Sequence, residues 1–221
     1  DADNRIVAAT FLMRMPLEYA GVAVQGGRPE VVATHPDARN RGFIRHIFQL
    51  MHARSAYRGD LVQGITGIPY YYRQFGYEYA LALGGMHQMP FASIPPLTGD
   101  SEPIMIRRAT NDDIMQLLML YERDRRRHHN QQPMLVTSRI DAAYMRYAIS
   151  DHAAHEPWTP YLITRPDQTI IGSFFTNRVR FGAIEIKSLA TEPNVPLATI
   201  FESLCRQIIT LAPTMRKSSA E

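Results

Sequence analysis

The sequence predicts an α/β protein with mixed β-sheets, in which strand-rich stretches are followed by helices in each half of the chain. Residues 5–34 are rich in β-branched and apolar residues, and from Gly42 onward the apolar residues recur with a helical period. A segment with four prolines, residues 90–103, interrupts the pattern before strands and helices resume. Consecutive strands followed by a helical crossover are typical of a mixed sheet covered by helices.

The first half predicts the order β-β-β-α-β-α-β. A turn is expected at Gly26 and Gly27, and the helix that starts after Gly42 is expected to end at Gly59. A short helix is predicted to begin at Pro69 and to stop at Gly76. The predicted strands are residues 5–15, 19–25, 29–34, 61–67 and 77–83.

The second half predicts the order β-α-α-β-β-β-α. Thr110 or Asn111 is the expected N-cap of its first helix, because acidic residues follow in the first helical turn. The other predicted elements are strands at residues 103–109, 159–165, 169–176 and 179–190 and helices near 138–150 and over 197–211.

Each half contains a β-β-β-α series, residues 5–55 in the first and residues 159–211 in the second. The first half lacks an opening β-α-α series and the second lacks a closing β-α-β series, so two copies of one fold, each incomplete at one end, account for both. The predicted domains are residues 1–89, a linker at 90–103, and residues 104–221. Because a strand begins so soon after Asp1, we expect the chain to be part of a longer protein.

The composition narrows the class of protein. There is no run of about 18 apolar residues and no signal segment at the start, so we expect no membrane span and a cytoplasmic location. The single cysteine, Cys205, lies among apolar residues, which excludes an internal disulfide framework and predicts a core position. A net charge of +3 suits anionic ligands but is too small to demand nucleic acid.

Positive charge is concentrated where a predicted strand meets a predicted helix, in the sequence VVATHPDARNRGFIRHIF (residues 31–48). A helix N-terminus has free backbone N–H groups and a partial positive charge, so it binds phosphate readily. Gly42 allows close approach of the backbone, and Arg39, Arg41 and Arg45 can add charge-assisted hydrogen bonds. The junction therefore predicts a site for a diphosphate.

These residues resemble the acetyl-CoA-binding motif of the GCN5-related N-acetyltransferases (GNAT), Arg/Gln-x-x-Gly-x-Gly/Ala. The chain has Arg39-x-x-Gly42-x-Ile44, and a bulky last residue is similar to the tandem, Eis-like branch of aminoglycoside and lysine acetyltransferases. The resemblance implies an acyl-CoA N-acyltransferase fold in which the backbone of Val32 and Ala33 holds the acetyl carbonyl and pantetheine. The implied pyrophosphate site is formed by Arg39, Asn40, Arg41, Gly42, Phe43, Ile44 and Arg45.

A second match lies in PYYYRQFGYEYA, which resembles the family signature Tyr-x-x-x-Gly-Phe/Tyr at Tyr72, Gly76 and Tyr77. The resemblance implies that Tyr72 protonates the departing CoA thiolate as a general acid. It also implies direct attack of a primary amine on the thioester of acetyl-CoA. In the second half, the corresponding junction (residues 189–201) has no Gly and no Arg, so we expect that copy to be degenerate.

Several alternatives remain open at this stage. The protein could bind CoA or acyl-CoA as a regulatory module without catalysis, or bind nucleic acid through the basic residues 123–129. The acceptor amine and the general base are not defined, although Glu30 is the one acid on residues 29–34; His35 is expected to be structural. No metal site is expected, since the two histidines within residues 151–156 lack a third ligand. A homo-oligomer is a further open alternative.

Overall fold

The structure is a computed structural model that describes residues 4–68, 70–80, 87–131, 136–150, 158–176 and 183–217. Two compact units divide the chain, Asp1–Gly85 with Gln132–Arg139 (unit 1) and Met86–Gln131 with Ile140–Glu221 (unit 2). The predicted domain limits, 1–89, 90–103 and 104–221, stay a prediction. The predicted histidine segment at 151–156 lies outside the described residues.

The described strands and helices follow a mixed α/β order, as the sequence predicts. The strands are β1 (Ala8–Tyr19), β2 (Val22–Thr34), β3 (Val62–Gln63), β4 (Met105–Arg108), β5 (Val136–Ser138), β6 (Thr159–Thr164), β7 (Ile170–Thr176) and β8 (Ile186–Thr191). The helices are α1 (Phe43–Tyr57), α2 (Ile114–Gln131), α3 (Ala142–Ile149) and α4 (Leu197–Lys217).

Unit 1 contains a mixed sheet with the strand order β3-β2-β1-β5. β1 pairs with β2 and β5 in antiparallel fashion, whereas β3 runs parallel to β2. Helix α1 packs on one face of this sheet through the buried side chains of Phe48, Met51 and Ser55. A short 3₁₀ helix, Tyr71–Phe75, follows β3 and ends at Gly76, as predicted, whereas its predicted start at Pro69 lies outside the described residues.

The prediction of three strands within residues 5–34 is wrong, because two long strands form a single hairpin. Its turn lies at Ala20 and Gly21, both with positive φ, and not at Gly26 and Gly27. Those two glycines are buried within β2: a Cβ on Gly26 would lie 2.9 Å from the Met15 carbonyl oxygen, and one on Gly27 would lie 2.8 Å from Ser55 Oγ. The two glycines let the strand pack closely against its neighbours. In the sequence, such packing glycines look the same as the glycines of a turn.

Two other strand predictions in unit 1 are shortened. The strand predicted at 61–67 is limited to Val62–Gln63. Of the strand predicted at 77–83, residues 77–80 are not in a strand and residues 81–83 lie outside the described part of the chain. β3 therefore leaves β2 after two paired residues, Gly26 and Gly27, and this early separation shapes the site described below.

A buried ionic network holds the end of α1 against β1. Arg58 donates to the carbonyl oxygens of Leu12 at 3.3 Å and Met13 at 3.2 Å, and it also pairs with Asp60. Asp60 accepts a further hydrogen bond from Ser55 Oγ at 2.7 Å. Despite burial, which acts in the opposite direction, the hydrogen bonds from Arg58 and Ser55 hold the pKa of Asp60 below its usual range.

Unit 2 contains an antiparallel sheet with the order β4-β6-β7-β8. Neighbouring residues of β7 point to opposite faces: Phe174 packs in the cluster that includes Leu204 of α4, and Phe175 packs in the cluster that includes Leu117 of α2. The predicted β-β-β-α series of the second half is confirmed, although β8 begins at Ile186. Cys205 is buried, as predicted.

The predicted start of the first helix in unit 2 is confirmed. Thr110 is the N-cap of a 3₁₀ turn that leads into α2, and the Asp113 carboxylate accepts hydrogen bonds from the Thr110 backbone N–H and hydroxyl. Among the described helices, none is long and apolar enough to cross a membrane.

Candidate functional site

The loop between β2 and α1 is built by backbone turns that bring a helix N-terminus to the surface. A 3₁₀ turn (Pro36–Ala38) follows β2, and the His35 ring accepts a hydrogen bond from the Asp37 backbone N–H at 3.4 Å. Asn40 and Gly42 then adopt positive φ angles of 60° and 79°. Gly42 is the N-cap of α1 and provides no side-chain cap, so the first helical turn is open at its end.

The first backbone N–H groups of α1 are available to a ligand. Within the described residues, the N–H groups of residues 41–45 make no hydrogen bond, and the first bond of the helix runs from His46 N to Gly42 O at 3.2 Å. Free N–H groups at a helix N-terminus, together with the helix dipole, favour an anion at this position. The structure thus brings the predicted diphosphate-binding residues together on one loop.

Three arginines surround this helix N-terminus without an acidic partner in the described part of the chain: Arg39, Arg41 and Arg45. The Arg41 guanidinium lies 5.1 Å from the centre of the Phe43 ring. Arg45 lies 5.8 Å from the centre of the Phe75 ring and donates to Gln74 Oε1 at 3.3 Å. None of the acidic side chains that the structure describes therefore neutralises their positive charge.

In contrast to these three arginines, the arginines of the basic segment 123–129 in α2 are paired with acidic side chains. Glu122 pairs with Arg125 at 2.6 Å and Arg126 at 2.9 Å, and Asp124 pairs with Arg127 at 2.6 Å. These pairs lie three or four residues apart on the helix, so each acid neutralises its neighbours. The pairing removes most of the charge on which the nucleic-acid hypothesis depends.

β2 contains a bulge just before the loop. Val31 and Val32 together lie opposite Thr10, and Val31 has a φ of 52°, which is strained for a β-branched residue. β3 pairs with β2 at Gly26 and Gly27, with one more bond from Gly64 N to Gly27 O, so within the described part of the chain residues 28–34 have an open backbone edge. Val32 and Ala33, the predicted acetyl-binding residues, lie on this edge.

Tyr72 is fixed beside α1 by an aromatic cluster. Phe48 of α1 stacks on Phe75 with ring centres 4.4 Å apart, and it lies 5.9 Å from the Tyr72 ring. Gly67 also packs against Tyr72, since a Cβ on Gly67 would come within 2.6 Å of Tyr72 Cε2. Sequence analysis did not identify the positioning role of Phe48, although its place on the apolar face of the predicted helix was a usable signal.

The environment of Tyr72 keeps its hydroxyl protonated. Burial raises the pKa of Tyr72 above its usual range, and nearby Tyr71 and the negative charge of Glu30 raise it further. A neutral phenol at neutral pH can donate a proton, which is what a general acid requires.

A cleft of about 380 Å³ lies on the far side of the aromatic cluster, lined by His52, Gln63, Phe75, Gly76, Tyr77 and Glu78. The Tyr77 hydroxyl donates to Gln63 Oε1 and lies 3.3 Å from His52 Nε2. Burial raises the pKa of Tyr77 to about 12, so this hydroxyl is neutral too. Sequence analysis named Tyr77 as part of the family signature but did not connect it with His52 or Gln63.

Comparison with known proteins gives a family match for the first part of the chain. Residues 1–80 match the family model described as an acetyltransferase (GNAT) domain. A comparison with curated protein sequences gives no significant match.

Solved structures similar to the chain share its fold. A GCN5-related N-acetyltransferase from Kribbella flavida is 18% identical with a TM-score of 0.64, over 92% of this chain and 47% of that protein. Eis1 from Mycobacterium abscessus is 17% identical with a TM-score of 0.53, over 91% and 51%. Saccharomyces cerevisiae N-myristoyltransferase with bound myristoyl-CoA is 12% identical with a TM-score of 0.56, over 96% and 57%.

The chain spans about half the length of these structures. The predicted acyl-CoA N-acyltransferase fold is confirmed, and the predicted family is the one whose model residues 1–80 match. The tandem, Eis-like arrangement and the roles assigned to individual site residues stay predictions.

Proposed function

We propose that the protein transfers an acetyl group from acetyl-CoA to a primary amine, since residues 1–80 match the model of a GNAT acetyltransferase domain. The observation on which this depends is the set of N–H groups at residues 41–45, which have no partner among the described residues, together with three arginines that have no acidic partner there. They lie at one end of the open edge of β2, and a protonated Tyr72 lies near the same strand. This arrangement suits a long ligand with a diphosphate at one end and a reactive thioester at the other.

The proposed donor position follows from the backbone. The pyrophosphate would accept hydrogen bonds from the N–H groups of residues 41–45, with Arg39 and Arg45 adding charge-assisted contacts. The pantetheine amides would hydrogen-bond to backbone groups along the open edge of β2. The carbonyl of the thioester would then lie at the bulge, near the backbone of Val32 and Ala33.

In the proposed reaction, the nitrogen of the neutral amine attacks the thioester carbonyl carbon. A C–N bond forms, the C–S bond breaks, and the Tyr72 hydroxyl gives its proton to the departing sulfur. The proton lost by the amine passes to solvent and Tyr72 regains one from solvent. The products are an N-acetylated amine and CoA with a free thiol.

The identity of the acyl group is a more specific part of the proposal than acyl transfer itself. The GNAT family match favours acetyl, whereas the N-myristoyltransferase that shares the fold binds myristoyl-CoA. The alternative of a CoA-binding module without catalysis predicts the same phosphate site and differs only at Tyr72. Tyr72 is therefore the residue to change.

Replacing Tyr72 by Phe should lower kcat for amine acetylation about 100-fold, because the thiolate would leave without a positioned acid. The KM for acetyl-CoA should stay within about twofold, since the ring and its packing are retained. Tyr57→Phe is the matched control, because Tyr57 lies on α1 and is 84% exposed. Release of the CoA thiol, measured with a panel of amines, gives the rates.

Two results would contradict the proposal. If the full protein binds acetyl-CoA but acetylates no amine in the panel, the non-catalytic alternative is correct. If Tyr72→Phe acetylates amines as fast as the unmodified protein, Tyr72 is not the acid.

A further inference from the structure

The end of the Tyr72 ring that carries the hydroxyl lies against Gly67. A Cβ built on Gly67 would lie 2.6 Å from Tyr72 Cε2 and 3.4 Å from Cζ, the ring carbon bonded to the hydroxyl oxygen. Carbon atoms in contact lie about 3.5 to 4.0 Å apart, so the shorter of these distances is a clash. A side chain at position 67 therefore cannot coexist with the present position of the ring.

The segment that contains Gly67 is anchored before and after this residue. Gly64 N donates to the Gly27 carbonyl oxygen at 3.0 Å, and the Ile68 carbonyl oxygen accepts from Tyr71 N at 3.3 Å. Gly67 is not among the glycines with a positive φ angle, so its backbone conformation does not require glycine. The absence of a side chain here matters because of the ring that this residue faces.

Four residues form a clamp around the turn that carries Tyr72. The Arg73 guanidinium lies 5.7 Å from the centre of the Tyr70 ring and 5.8 Å from the centre of the Tyr79 ring. Arg73 also pairs with the Glu78 carboxylate at 2.8 Å. We call Tyr70, Arg73, Glu78 and Tyr79 the arginine clamp. Because Arg73 directly follows Tyr72 in the 3₁₀ helix, the clamp holds the backbone next to the ring.

The arginine clamp also supports a strained piece of backbone. Tyr70 has a φ of 64°, in the left-handed region that bulky residues rarely adopt. Its backbone N–H donates to the Tyr79 hydroxyl at 2.9 Å, and its carbonyl oxygen accepts from Arg73 N at 3.3 Å. A strained conformation persists where its surroundings hold it, and such strain is frequent at functional sites. The hydrogen bond to Tyr79 therefore holds the start of the turn in place.

We propose that Gly67 and the arginine clamp are positioning elements that fix the Tyr72 hydroxyl beside the departing sulfur. This inference rests on the acyl transfer proposed above, in which Tyr72 gives its proton to that sulfur. The clamp holds the backbone of the turn, and Gly67 leaves space for the hydroxyl end of the ring. Proton transfer requires the two atoms to lie within hydrogen-bond distance, so a displaced ring slows the reaction without weakening the binding of acetyl-CoA.

Gly67→Ala should lower kcat for amine acetylation about tenfold and leave the KM for acetyl-CoA within about twofold, because the ring moves while the phosphate loop is unchanged. Gly64→Ala is the matched control in the same segment. A Cβ on Gly64 would lie 3.1 Å from Met15 Cε, the flexible end of a side chain that can move aside. Release of the CoA thiol from acetyl-CoA gives the rates, with methylamine, 1,5-diaminopentane or glucosamine as the acceptor.

The same substitution in the Tyr72→Phe background separates positioning from a general structural role. A positioning residue acts through the hydroxyl, so Gly67→Ala should leave the residual kcat of Tyr72→Phe within about twofold. An equal loss in both backgrounds would show that Gly67 supports the fold or the acetyl-CoA site and would refute its positioning role. An unchanged kcat in Gly67→Ala alone would refute it as well.

The arginine clamp is tested by Tyr79→Phe. This variant should lower kcat about threefold, because the Tyr70 N–H loses its partner while the ring beside Arg73 is retained. The KM for acetyl-CoA should again be unchanged, and the effect should disappear in the Tyr72→Phe background. If Tyr79→Phe is as fast as the exposed control Tyr57→Phe, or if its effect is the same in both backgrounds, the clamp does not position Tyr72.

The outcomes also separate this inference from the proposed function. If Tyr72→Phe lowers kcat but neither Gly67→Ala nor Tyr79→Phe does, Tyr72 is the acid and the positioning assignment is wrong. If Tyr72→Phe has no effect, or if none of the three amines is acetylated, the proposed function itself fails, and the positioning assignment with it.

Discussion

Val31 in β2 and Ser188 in β8 occupy matching places in the two units. Each has a positive φ, 52° and 49° respectively, and each is the first of two residues that bulge opposite one residue of the neighbouring strand. In both units, the bulged strand leads through a short connection into a long helix, α1 or α4. The two units thus share an unusual piece of backbone geometry.

The residues that follow the bulge differ in every feature that binds an anion. Unit 1 has Gly42, and among its described residues the N–H groups that follow are free and the nearby arginines have no acidic partner. Unit 2 has Pro193 and Pro196, which have no N–H to donate, and Glu192, whose carboxylate already accepts from Arg123 at 2.7 Å. We propose that unit 2 is a degenerate copy without a CoA site. Both units therefore share the bulged strand. On this proposal, the residues of the loop that follows decide whether a phosphate binds.

The largest expected effect comes from giving unit 1 a negative charge at the position of the phosphate. Gly42→Asp should weaken acetyl-CoA binding about 100-fold, because the carboxylate would occupy the free N–H groups and repel the diphosphate. The helix itself should survive, since Asp is a good N-cap and a Cβ at Gly42 meets nothing closer than 3.8 Å. Isothermal titration calorimetry gives the Kd.

Gly59→Asp is the control for backbone strain. Gly59 has a φ of 80°, close to the 79° of Gly42, and a Cβ there would meet nothing within 4 Å. It lies at the other end of α1, so its variant should bind acetyl-CoA normally. An equal loss of affinity in both variants would show that strain, and not charge, acts at Gly42.

A smaller effect is expected when the charge of Asp113 in unit 2 is removed, because this carboxylate is paired within the protein. Hydrogen bonds from Arg107 and Thr110 lower the pKa of Asp113 to about 2, although burial opposes this. Since the folded pKa lies below the unfolded value, the stabilisation is present above about pH 4 and is lost as the pH falls toward 2. Asp113→Asn should cost about 1 to 2 kcal/mol of unfolding free energy at pH 7, allowing for partial solvent screening.

The single tryptophan makes this measurement specific to unit 2. Trp158 belongs to that unit, so its fluorescence during urea unfolding reports on unit 2 alone. Asp112→Asn, an exposed acid in the same helical turn, is the control. A difference between Asp113→Asn and the unmodified protein that persists unchanged at pH 2 would refute the assignment.

The smallest effect concerns single arginines. Arg45→Gln should weaken acetyl-CoA binding about fivefold, and less at high salt, because it removes one of three unpaired charges near the phosphate site. Arg126→Gln in α2 should leave the Kd unchanged, since Arg126 pairs with Glu122. Equal effects of the two substitutions would mean that net charge, and not the loop, attracts the ligand.

Local motifs were the most predictable part of the molecule. The phosphate loop was predicted because Gly42 and its arginines lie within a few residues of each other at a change of period. The pairing of Arg126 with Glu122 was also readable, since a spacing of four residues places both on one helical face. In these cases the determining residues are neighbours in the sequence.

Features that depend on distant residues could not be predicted in the same way. Gly26 and Gly27 resemble a turn, and only contact with Met15 and Ser55 shows that they are packing positions. Likewise, Arg123 is neutralised by Glu192, 69 residues away, which no local pattern indicates. The bulge at Val31 depends on the register of the whole hairpin. A valine is typical of a regular strand, so the residue type at this position does not indicate a bulge.

The short pairing of β3 with β2 affects the tendency of the protein to aggregate in a concentrated solution. A free strand edge invites other chains to add to the sheet and begin aggregation. Here the bulge at Val31 breaks the regular spacing of that edge, and Pro29 offers no N–H to an incoming strand. A flexible ligand can follow the interrupted edge, whereas a regular β-strand cannot, so the same kink that suits a small molecule also discourages unwanted polymerisation.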